Sequence, residues 1–326
     1  MGRSVYYKNQ YSSFKNLHYG VPQGSILGPL LFSVYVNDVV NASQEMKLTL
    51  YADDKNSCMS GNNPFSLINN VNFELNLIYQ WIKANYLILN ITKTYFILFA
   101  KNFFHGPLPP VRMGDLIIQR AYSTKFLGII VDYRLTWENH IDYLCNKLSK
   151  ICGIMYITRK KLTETALISI YYSLFYSLLS YGITIWGGAS NKYINKVYLV
   201  QKRFVKAITF NPKGARCTPL FSKLRFLKLC NIYKLSLLNI GFKFHFQNYS
   251  SQVFELNNHN HNTRVSNLHL KIPVPRCKPC AQSVHFKVPS EWNSLVNSNY
   301  RSLITNSHYH VSFKRSLKKY LFENQV

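Results

Sequence analysis

Two adjacent carboxylates, Asp53 and Asp54, follow an alternating run in the stretch LTLYADDKN. The chain has only 13 acidic residues against 39 Lys and Arg, so such a pair is unusual here. The alternation over residues 46–52 predicts a strand, with a turn at Asp54–Lys55 and a return strand over NSCMSG. Neighbouring carboxylates at a strand tip can ligate a hard divalent cation, although Asp is also common in turns for its backbone geometry alone.

A segment rich in glycine and proline, GVPQGSILGP, lies upstream of the acidic pair and spans residues 20–29. Its glycines predict a turn in which the backbone can approach a ligand closely. The apolar run PLLFSVYVNDVV that begins at Pro29 predicts a helix with proline in its first turn, and Asp38 falls inside that helix.

These two segments together resemble the palm of reverse transcriptases, most closely those of jockey-like non-LTR retrotransposons. The resemblance implies that Asp53, with Asp54 beside it, binds metal at the catalytic centre. It also implies template or nucleotide contacts for Gly20, Pro22, Gln23, Gly24, Ser25 and Tyr51. The likeness covers nearly the whole chain, and its first two motifs are highly specific.

Further segments extend the resemblance toward the C-terminus. NYLILNITKTYFILF is similar to the family's next motif and assigns Lys93 to the site, although an ordinary exposed lysine is an equally open interpretation. KFLGIIVD resembles the primer-grip hairpin, with Phe126, Leu127 and Gly128. The segments LTETALISIYYSLFYSLLSYGITIWGG and VQKRFVKAI resemble the helical region after the palm, and HNTR and FKRSLKKYL resemble the tail.

The reaction that the resemblance implies is the attack of a primer 3′-hydroxyl on the α-phosphate of a deoxynucleotide. Two divalent cations, Mg²⁺ or Mn²⁺, stabilise the attacking and leaving oxygens in such reactions. Lys93 would protonate the leaving pyrophosphate or neutralise it. The implied partners are an RNA template, a DNA primer and deoxynucleotides, with no small-molecule cofactor and no membrane.

One expected carboxylate has no counterpart in the sequence. The family supplies an essential Asp from a strand before the glycine segment, but residues 1–37 contain no Asp or Glu, and Asp38 has the wrong spacing to replace it. We therefore expect no polymerase activity from this chain alone. We interpret it as the C-terminal part of an element-derived polyprotein, left by 5′ truncation or an incomplete gene model. The alternative is a non-catalytic nucleic-acid-binding remnant or a pseudogene product.

Positive charge is concentrated in the second part of the chain. Residues 1–110 carry a net charge of +3, whereas residues 111–326 carry +23. Such an excess favours a polyanionic partner, most simply nucleic acid, although a generally basic, solvated surface is the alternative. Lys202, Arg203 and Lys206 lie close together on one predicted helix and are candidates to contact a nucleic-acid backbone.

The seven cysteines are scattered, and the N-terminus has no apolar signal sequence, which together favour free thiols in a reducing, intracellular compartment. RCKPC, with Cys277 and Cys280 followed by His285, suggests a zinc knuckle, but with no second cysteine pair we favour free thiols. Residues 165–191 carry no charge over 27 positions, which is long enough to span a membrane. Serines at every third or fourth position favour a buried helix instead.

The fold class predicted from these patterns is α+β. A partial palm, an antiparallel sheet with helices, is expected over residues 1–135. A helical thumb-like region is expected over residues 136–210, since apolar residues there follow helical spacing. A small basic C-terminal region is expected over residues 211–326.

Overall fold

The computed structural model describes residues 2–16, 20, 24–100, 107–211, 214, 216–247, 254–256, 268–307 and 309–325. The chain divides into two units. The first comprises Met1–Phe96 and Phe104–Ala121, and the second comprises Ile97–Phe103 and Tyr122–Val326. Each unit has a hydrophobic core of its own, so each is described by itself.

The first unit combines short strands with two helices. Its strands are β1 (Gly2–Arg3), β2 (Tyr6–Tyr7), β3 (Gln10–Tyr11), β4 (Lys15–Asn16), β5 (Lys47–Tyr51), β6 (Asp54–Cys58), β7 (Tyr95–Phe96), β8 (Val111–Met113) and β9 (Leu116–Arg120). Its helices are α1 (Gly28–Val36) and α2 (Pro64–Ala84), with 3₁₀ turns at Asn37–Ala42 and Ile91–Lys93. The pairs β1–β4, β2–β3, β5–β6 and β8–β9 are antiparallel, and β7–β9 is parallel.

Helix α2 organises the core of the first unit. It begins where the Asn63 side chain accepts a hydrogen bond from the Phe65 N–H and Pro64 occupies the first helical position. Apolar residues at helical spacing then face the core. The buried set is Val39, Met46, Ile68, Leu75, Ile78, Ile82, Val111, Met113 and Ile118. This core supports one side of β5, since Leu48 and Leu50 also pack against it.

The second unit begins with one hairpin and continues as helices. The hairpin strands are β10 (Ser123–Phe126) and β11 (Ile129–Asp132). The helices are α3 (Glu138–Thr158), α4 (Glu164–Ile170), α5 (Ser177–Ser180), α6 (Ile183–Trp186), α7 (Asn191–Ile208), α8 (Thr218–Lys223), α9 (Leu229–Gln247), α10 (Lys278–Gln282), α11 (Val284–Val296), α12 (Ser302–Thr305) and α13 (His310–Glu323). A π-helical turn, Tyr171–Tyr176, joins α4 to α5.

The uncharged segment after residue 165 packs inside the second unit. Tyr171, Phe175 and Leu179 are fully buried at a spacing of four residues, and Phe175 contacts Phe204 of α7 with ring centroids 4.4 Å apart. The predicted buried helix is confirmed as far as Ser180, and Ile183–Trp186 forms a separate short helix. Among the helices of the described ranges, none has the length and apolarity needed to span a membrane.

The predicted α+β class is confirmed, since helices and small, mostly antiparallel sheets make up the described residues. The assignment of these parts to a polymerase palm and thumb, and the division at residues 135 and 210, stay predictions. One local prediction is wrong. Asp38 does not lie in an α-helix that continues to residue 40, because α1 ends at Val36 and Asp38 sits in the following 3₁₀ turn.

Candidate functional site

The acidic pair lies on a tight antiparallel hairpin formed by β5 and β6. Tyr51 pairs with Asp54, so the two-residue turn consists of Ala52 and Asp53. The turn predicted at Asp54–Lys55 is therefore wrong, because strand alternation does not reveal which residue adopts the left-handed backbone that closes a hairpin. Ala52 takes that role with φ of +51°. A non-glycine residue in this conformation carries backbone strain of about 1 kcal/mol or more.

Both carboxylates of the hairpin are exposed to solvent, as is the Tyr51 ring beside them. Asp53 sits in the turn, and Asp54 opens β6. Carboxylate oxygens are the ligands that Mg²⁺ and Mn²⁺ prefer, so this donor set fits one hard divalent cation. Within the described ranges, however, no group of three or more His, Cys, Asp or Glu side chains converges on such a position. The residues present therefore do not fit a two-metal clamp.

Two other carboxylates of the first unit already have polar partners. The Asp38 Oδ2 atom accepts a hydrogen bond from Trp81 Nε1 at 3.2 Å. The buried Glu74 Oε2 atom accepts one from Ser43 Oγ at 2.5 Å. Both carboxylates thus accept hydrogen bonds within the first unit, and the expectation that Asp38 does not replace the strand-borne ligand stays a prediction.

A cation–π contact ties the hairpin to α2. The Lys55 ammonium lies 5.1 Å from the centroid of the Trp81 ring, whose indole N–H donates to Asp38. Partial burial lowers the pKa of Lys55 from its ordinary value. The sequence analysis missed this arrangement, because the three residues are separated by 17 to 43 positions and have no shared spacing pattern.

The glycine loop upstream of α1 is described only in part. Gly20 and Gly24 adopt left-handed backbone with φ of +88° and +84°, which explains glycine at both positions. Ser25 Oγ accepts a hydrogen bond from the Gly28 N–H at 3.0 Å, so it helps to start α1. Pro22 and Gln23 lie outside the described residues, and their predicted nucleotide contacts stay predictions.

Lys93 is exposed in the 3₁₀ turn that immediately precedes β7. Its backbone N–H donates to the Asn90 carbonyl at 3.1 Å, which closes that turn. The placement leaves the lysine side chain at the surface of the first unit. Its predicted role at the leaving pyrophosphate stays a prediction.

The predicted primer-grip hairpin is the β10–β11 pair of the second unit. Phe126 pairs with Ile129, and the turn residues Leu127 and Gly128 both have positive φ, +44° and +83°, as in a type I′ hairpin. The Tyr181 hydroxyl donates to the Leu127 carbonyl. Phe126, Leu127 and Gly128 thus form a tightly held hairpin, whereas their contact with a primer stays a prediction.

A buried histidine supports the same hairpin from α3. The Ile130 N–H donates to His140 Nδ1 at 3.3 Å, and the His140 side chain is only 3% exposed. Burial lowers the pKa of His140 from 6.5 to about 4, so the ring is neutral at neutral pH. Because Nδ1 accepts this hydrogen bond, it carries the lone pair, and the proton of the neutral ring is on Nε2.

The three basic residues predicted on one helix, Lys202, Arg203 and Lys206, do not all face the same side of α7. Lys202 and Lys206, four positions apart on α7, line a groove with Arg216, which precedes α8. Arg203 is directed elsewhere, because its Nη2 donates to Ser149 Oγ of α3 at 3.3 Å. The structure thus brings together two of the three predicted residues and adds Arg216, which the sequence analysis missed.

The two cysteines near the C-terminus are not joined by a disulfide. Cys277 and Cys280 Sγ atoms lie 2.9 Å apart, at the start of α10. The described residues around them do not include a third and fourth ligand of the kind that a structural zinc site requires. His259 and His261, two histidines in the sequence before this pair, lie outside the described residues.

Comparison with known proteins gives the class first. Residues 3–131 match the family described as "Reverse transcriptase (RNA-dependent DNA polymerase)". The matched region contains the glycine loop, the β5–β6 hairpin and Lys93. This match confirms the resemblance to reverse transcriptases that the sequence predicts for these residues.

Individual relatives narrow the class. The chain is 27% identical to "RNA-directed DNA polymerase from mobile element jockey" of Drosophila melanogaster, over 67% of this chain and 25% of that protein. It is 30% identical to "Probable RNA-directed DNA polymerase from transposon BS" of the same species, over the same shares. The similarity to jockey-like sequences is thus direct, and the chain spans about a quarter of the length of these relatives. No solved structure matches the chain.

Proposed function

We propose that this chain derives from the RNA-directed DNA polymerase of a jockey-like non-LTR retrotransposon, and that its β5–β6 hairpin is the metal-binding part of a nucleotidyl-transfer centre. The observation that carries the proposal is the exposed Asp53–Asp54 pair at a strained two-residue turn, inside the region that matches the reverse transcriptase family. Strain at a turn is commonly retained where it positions functional side chains.

The roles of the residues follow from this centre. Asp53 and Asp54 would hold a divalent cation, Mg²⁺ or Mn²⁺, which when bound neutralises phosphate charge and activates the primer hydroxyl. The glycine loop, Gly20–Pro29, would place backbone against the incoming nucleotide and template. Lys93 would neutralise or protonate the leaving pyrophosphate. The Phe126–Gly128 turn would contact the primer.

We further propose that these 326 residues alone do not polymerise. A two-cation mechanism needs carboxylates from more than one strand, and the described residues bring together only the adjacent pair. Exposed apolar side chains on α1 and before it support a first unit that belongs to a larger fold in the parent protein. These are Ile26, Leu27, Leu30, Leu31 and Val34, of which Ile26 is 96% exposed.

Primer extension tests both parts of the proposal. We expect the chain with oligo(dT) on a poly(A) template and Mg²⁺ to give no incorporation above that of Asp53→Ala. Incorporation that Asp53→Ala abolishes would overturn the proposed inactivity and establish the polymerase centre directly.

The cation site is tested separately by Mn²⁺ titration of the isotopically labelled chain. We expect paramagnetic broadening of hairpin amides that is lost in the double variant Asp53→Asn/Asp54→Asn and retained in Asp115→Asn. Asp115 is a suitable control because it lies between β8 and β9 of the same unit. Broadening that survives in the double variant would refute a cation site on the hairpin.

A second candidate function is nucleic-acid binding without catalysis. The observation that favours it is the concentration of +23 net charge in residues 111–326, together with the basic groove of Lys202, Lys206 and Arg216. Chain binding to labelled RNA that weakens steeply with salt, with no primer extension, would support this candidate.

A further inference from the structure

A groove in the second unit lies between α7 and residues 216–219 at the start of α8. Its volume is about 560 Å³. Its lining includes Tyr198, Lys202 and Lys206 from α7 and Arg216, Cys217 and Thr218 from the other side. This volume is in the range of ordinary ligand sites, so a phosphate and its adjoining sugars fit inside it.

Among the described residues that line the groove, three are cationic and none is a carboxylate. Lys202 and Lys206 stand one turn apart on the same face of α7, where like charges repel each other by a few tenths of a kcal/mol. Both lysines are half-buried, whereas Arg216 is exposed at the rim. A bound anion offsets this repulsion, and the arginine fork matches the geometry of phosphate oxygens.

Three acidic residues of the second unit have partners away from this groove. Asp142 pairs with Lys196 at 2.7 Å, and Glu291 pairs with Lys234 at 3.3 Å. The Glu138 carboxylate accepts a hydrogen bond from the Tyr193 hydroxyl at 2.7 Å. The groove therefore keeps a positive lining in a part of the chain that already has a large positive excess.

Tyr198, the aromatic residue of the groove, has Phe221 and Lys202 as neighbours. The Tyr198 ring lies 6.2 Å from the Phe221 ring of α8, and the Lys202 ammonium lies 4.3 Å from the Tyr198 centroid. The Lys202 ammonium thus covers a face of the Tyr198 ring on which a nucleobase would stack. The groove is thus suited to phosphates and sugars, without base recognition.

We infer that Lys202, Lys206 and Arg216 form a phosphate-binding groove that holds the backbone of a nucleic-acid strand independently of its sequence. The inference rests on the proposed nucleic-acid partner and adds Arg216 to the residues that contact it. It also removes Arg203 from the contact surface, because the Arg203 guanidinium bonds to Ser149 of α3.

The test compares single charge removals on the full chain by fluorescence anisotropy with a labelled, mixed-sequence RNA of about 20 nucleotides, long enough to cover one binding site. The groove variants are Lys202→Gln and Arg216→Gln, and the matched control is Arg203→Gln on the same helix as Lys202. We expect each groove variant to weaken binding about threefold to tenfold and to reduce the slope of log K against log salt by about one. Arg203→Gln should change affinity less than about twofold.

The outcomes separate the inference from the proposed function. If the wild-type chain binds RNA but all three variants weaken binding equally, only net charge matters and the groove inference is wrong. If the wild-type chain does not bind RNA or DNA of the same sequence, the proposed nucleic-acid partner itself is wrong. Lys202→Arg, which keeps the charge, should retain binding within about twofold, and this result would tie the effect of Lys202→Gln to the lost charge.

Sequence independence is tested by competition with unlabelled strands. We expect DNA and RNA of the same sequence, and strands of scrambled sequence, to displace the label with similar efficiency. A preference of more than about tenfold for one base composition would contradict a groove that contacts only the backbone.

Discussion

The β5–β6 and β10–β11 hairpins, which both have two-residue turns, solve the same backbone problem in different ways. In β5–β6 the left-handed turn residue is Ala52, and the side chains around the tip are exposed. In β10–β11 the turn is Leu127–Gly128, its carbonyl is bonded by Tyr181, and His140 bonds the adjacent strand. The first hairpin presents side chains to solvent, whereas the second is fixed by its neighbours.

The difference teaches which interactions hold each hairpin. Removal of a neighbour should destabilise β10–β11, because its turn and strand depend on tertiary contacts in the second unit. Substitution of the exposed carboxylates should leave β5–β6 folded, because strand pairing and one apolar face support it from beneath. We call β10–β11 the fixed hairpin and β5–β6 the presenting hairpin. The contrast between them is measurable as a difference in how much each substitution changes the free energy of unfolding.

The largest effect is expected from Gly182→Ala in the second unit. Gly182 has φ of +58°, and a Cβ atom added there would lie 2.4 Å from Ile129 Cδ1 of β11. Backbone strain and overpacking together should lower the free energy of unfolding by about 2–3 kcal/mol, measured by urea denaturation.

The control for this substitution is Gly153→Ala on α3. Gly153 is helical, and an added Cβ atom would meet open space. Stability should rise by about 0.5–1 kcal/mol, because alanine favours the helix. Equal stability of the two variants would contradict the close packing of Gly182 on the β10–β11 hairpin.

The next effect is the pH dependence that His140 contributes. Burial lowers its pKa from the ordinary value of 6.5 to about 4 in the folded chain, so the unfolded chain binds the proton more readily between these values. The stability that the neutral ring contributes is therefore complete above about pH 6.5 and is lost as the pH falls toward 4. The loss at about pH 5 should be about 2 kcal/mol.

His140→Asn isolates this contribution, because the Asn Oδ1 atom can accept from the Ile130 N–H without titrating near neutral pH. Urea denaturation at about pH 7.5 and about pH 5 gives the stability that each protein loses on acidification. This loss should be smaller by about 2 kcal/mol in the variant than in the wild-type chain. The same pH dependence in both proteins would rule out His140 as its source.

The sequence predicted that the hairpin exists, but not which residues form its turn. Alternation and the YADD context correctly placed a hairpin at residues 47–58, but the turn falls two residues earlier than predicted. Hydrophobic alternation reports which face is buried, whereas the turn position depends on whether Ala52 can tolerate positive φ. The strands β7 and β8 are too short to show a periodic pattern.

Tertiary contacts limited how much of the candidate sites could be predicted from the sequence. Helical spacing grouped Lys202 with Lys206, but it also suggested Arg203, which is directed to α3. Arg216 lines the groove from just before α8, and no spacing rule relates it to Lys202 on α7. The contact of Trp81 with Lys55 and Asp38 was hidden for the same reason.

A smaller effect is expected from Tyr181→Phe, which removes one hydrogen bond from the fixed hairpin. The Tyr181 hydroxyl donates to the Leu127 carbonyl, and the Tyr181 residue is 55% exposed. Water can replace the lost donor, so the free energy of unfolding should fall by about 0.5–1 kcal/mol. Hydrogen exchange at β10–β11 should accelerate, and unchanged exchange there would argue that the turn is held by its own geometry.

The smallest effect is expected at the tip of the presenting hairpin. Ala52→Gly relieves the strain of a left-handed alanine, but glycine also raises the entropy of the unfolded chain, so stability should change by less than about 1 kcal/mol. Asp53→Asn should likewise stay within about 0.5 kcal/mol of wild type, because the side chain is exposed.

These two variants sharpen the comparison when Mn²⁺ broadening is measured beside stability. Ala52→Gly should weaken the broadening of the hairpin amides, because a more flexible tip holds the carboxylates less firmly, and Asp53→Asn should weaken it by removing a ligand. A large loss of stability in Asp53→Asn would show that this carboxylate holds the hairpin together. The β5–β6 tip would then resemble the fixed hairpin, and its carboxylates would not be available to a cation.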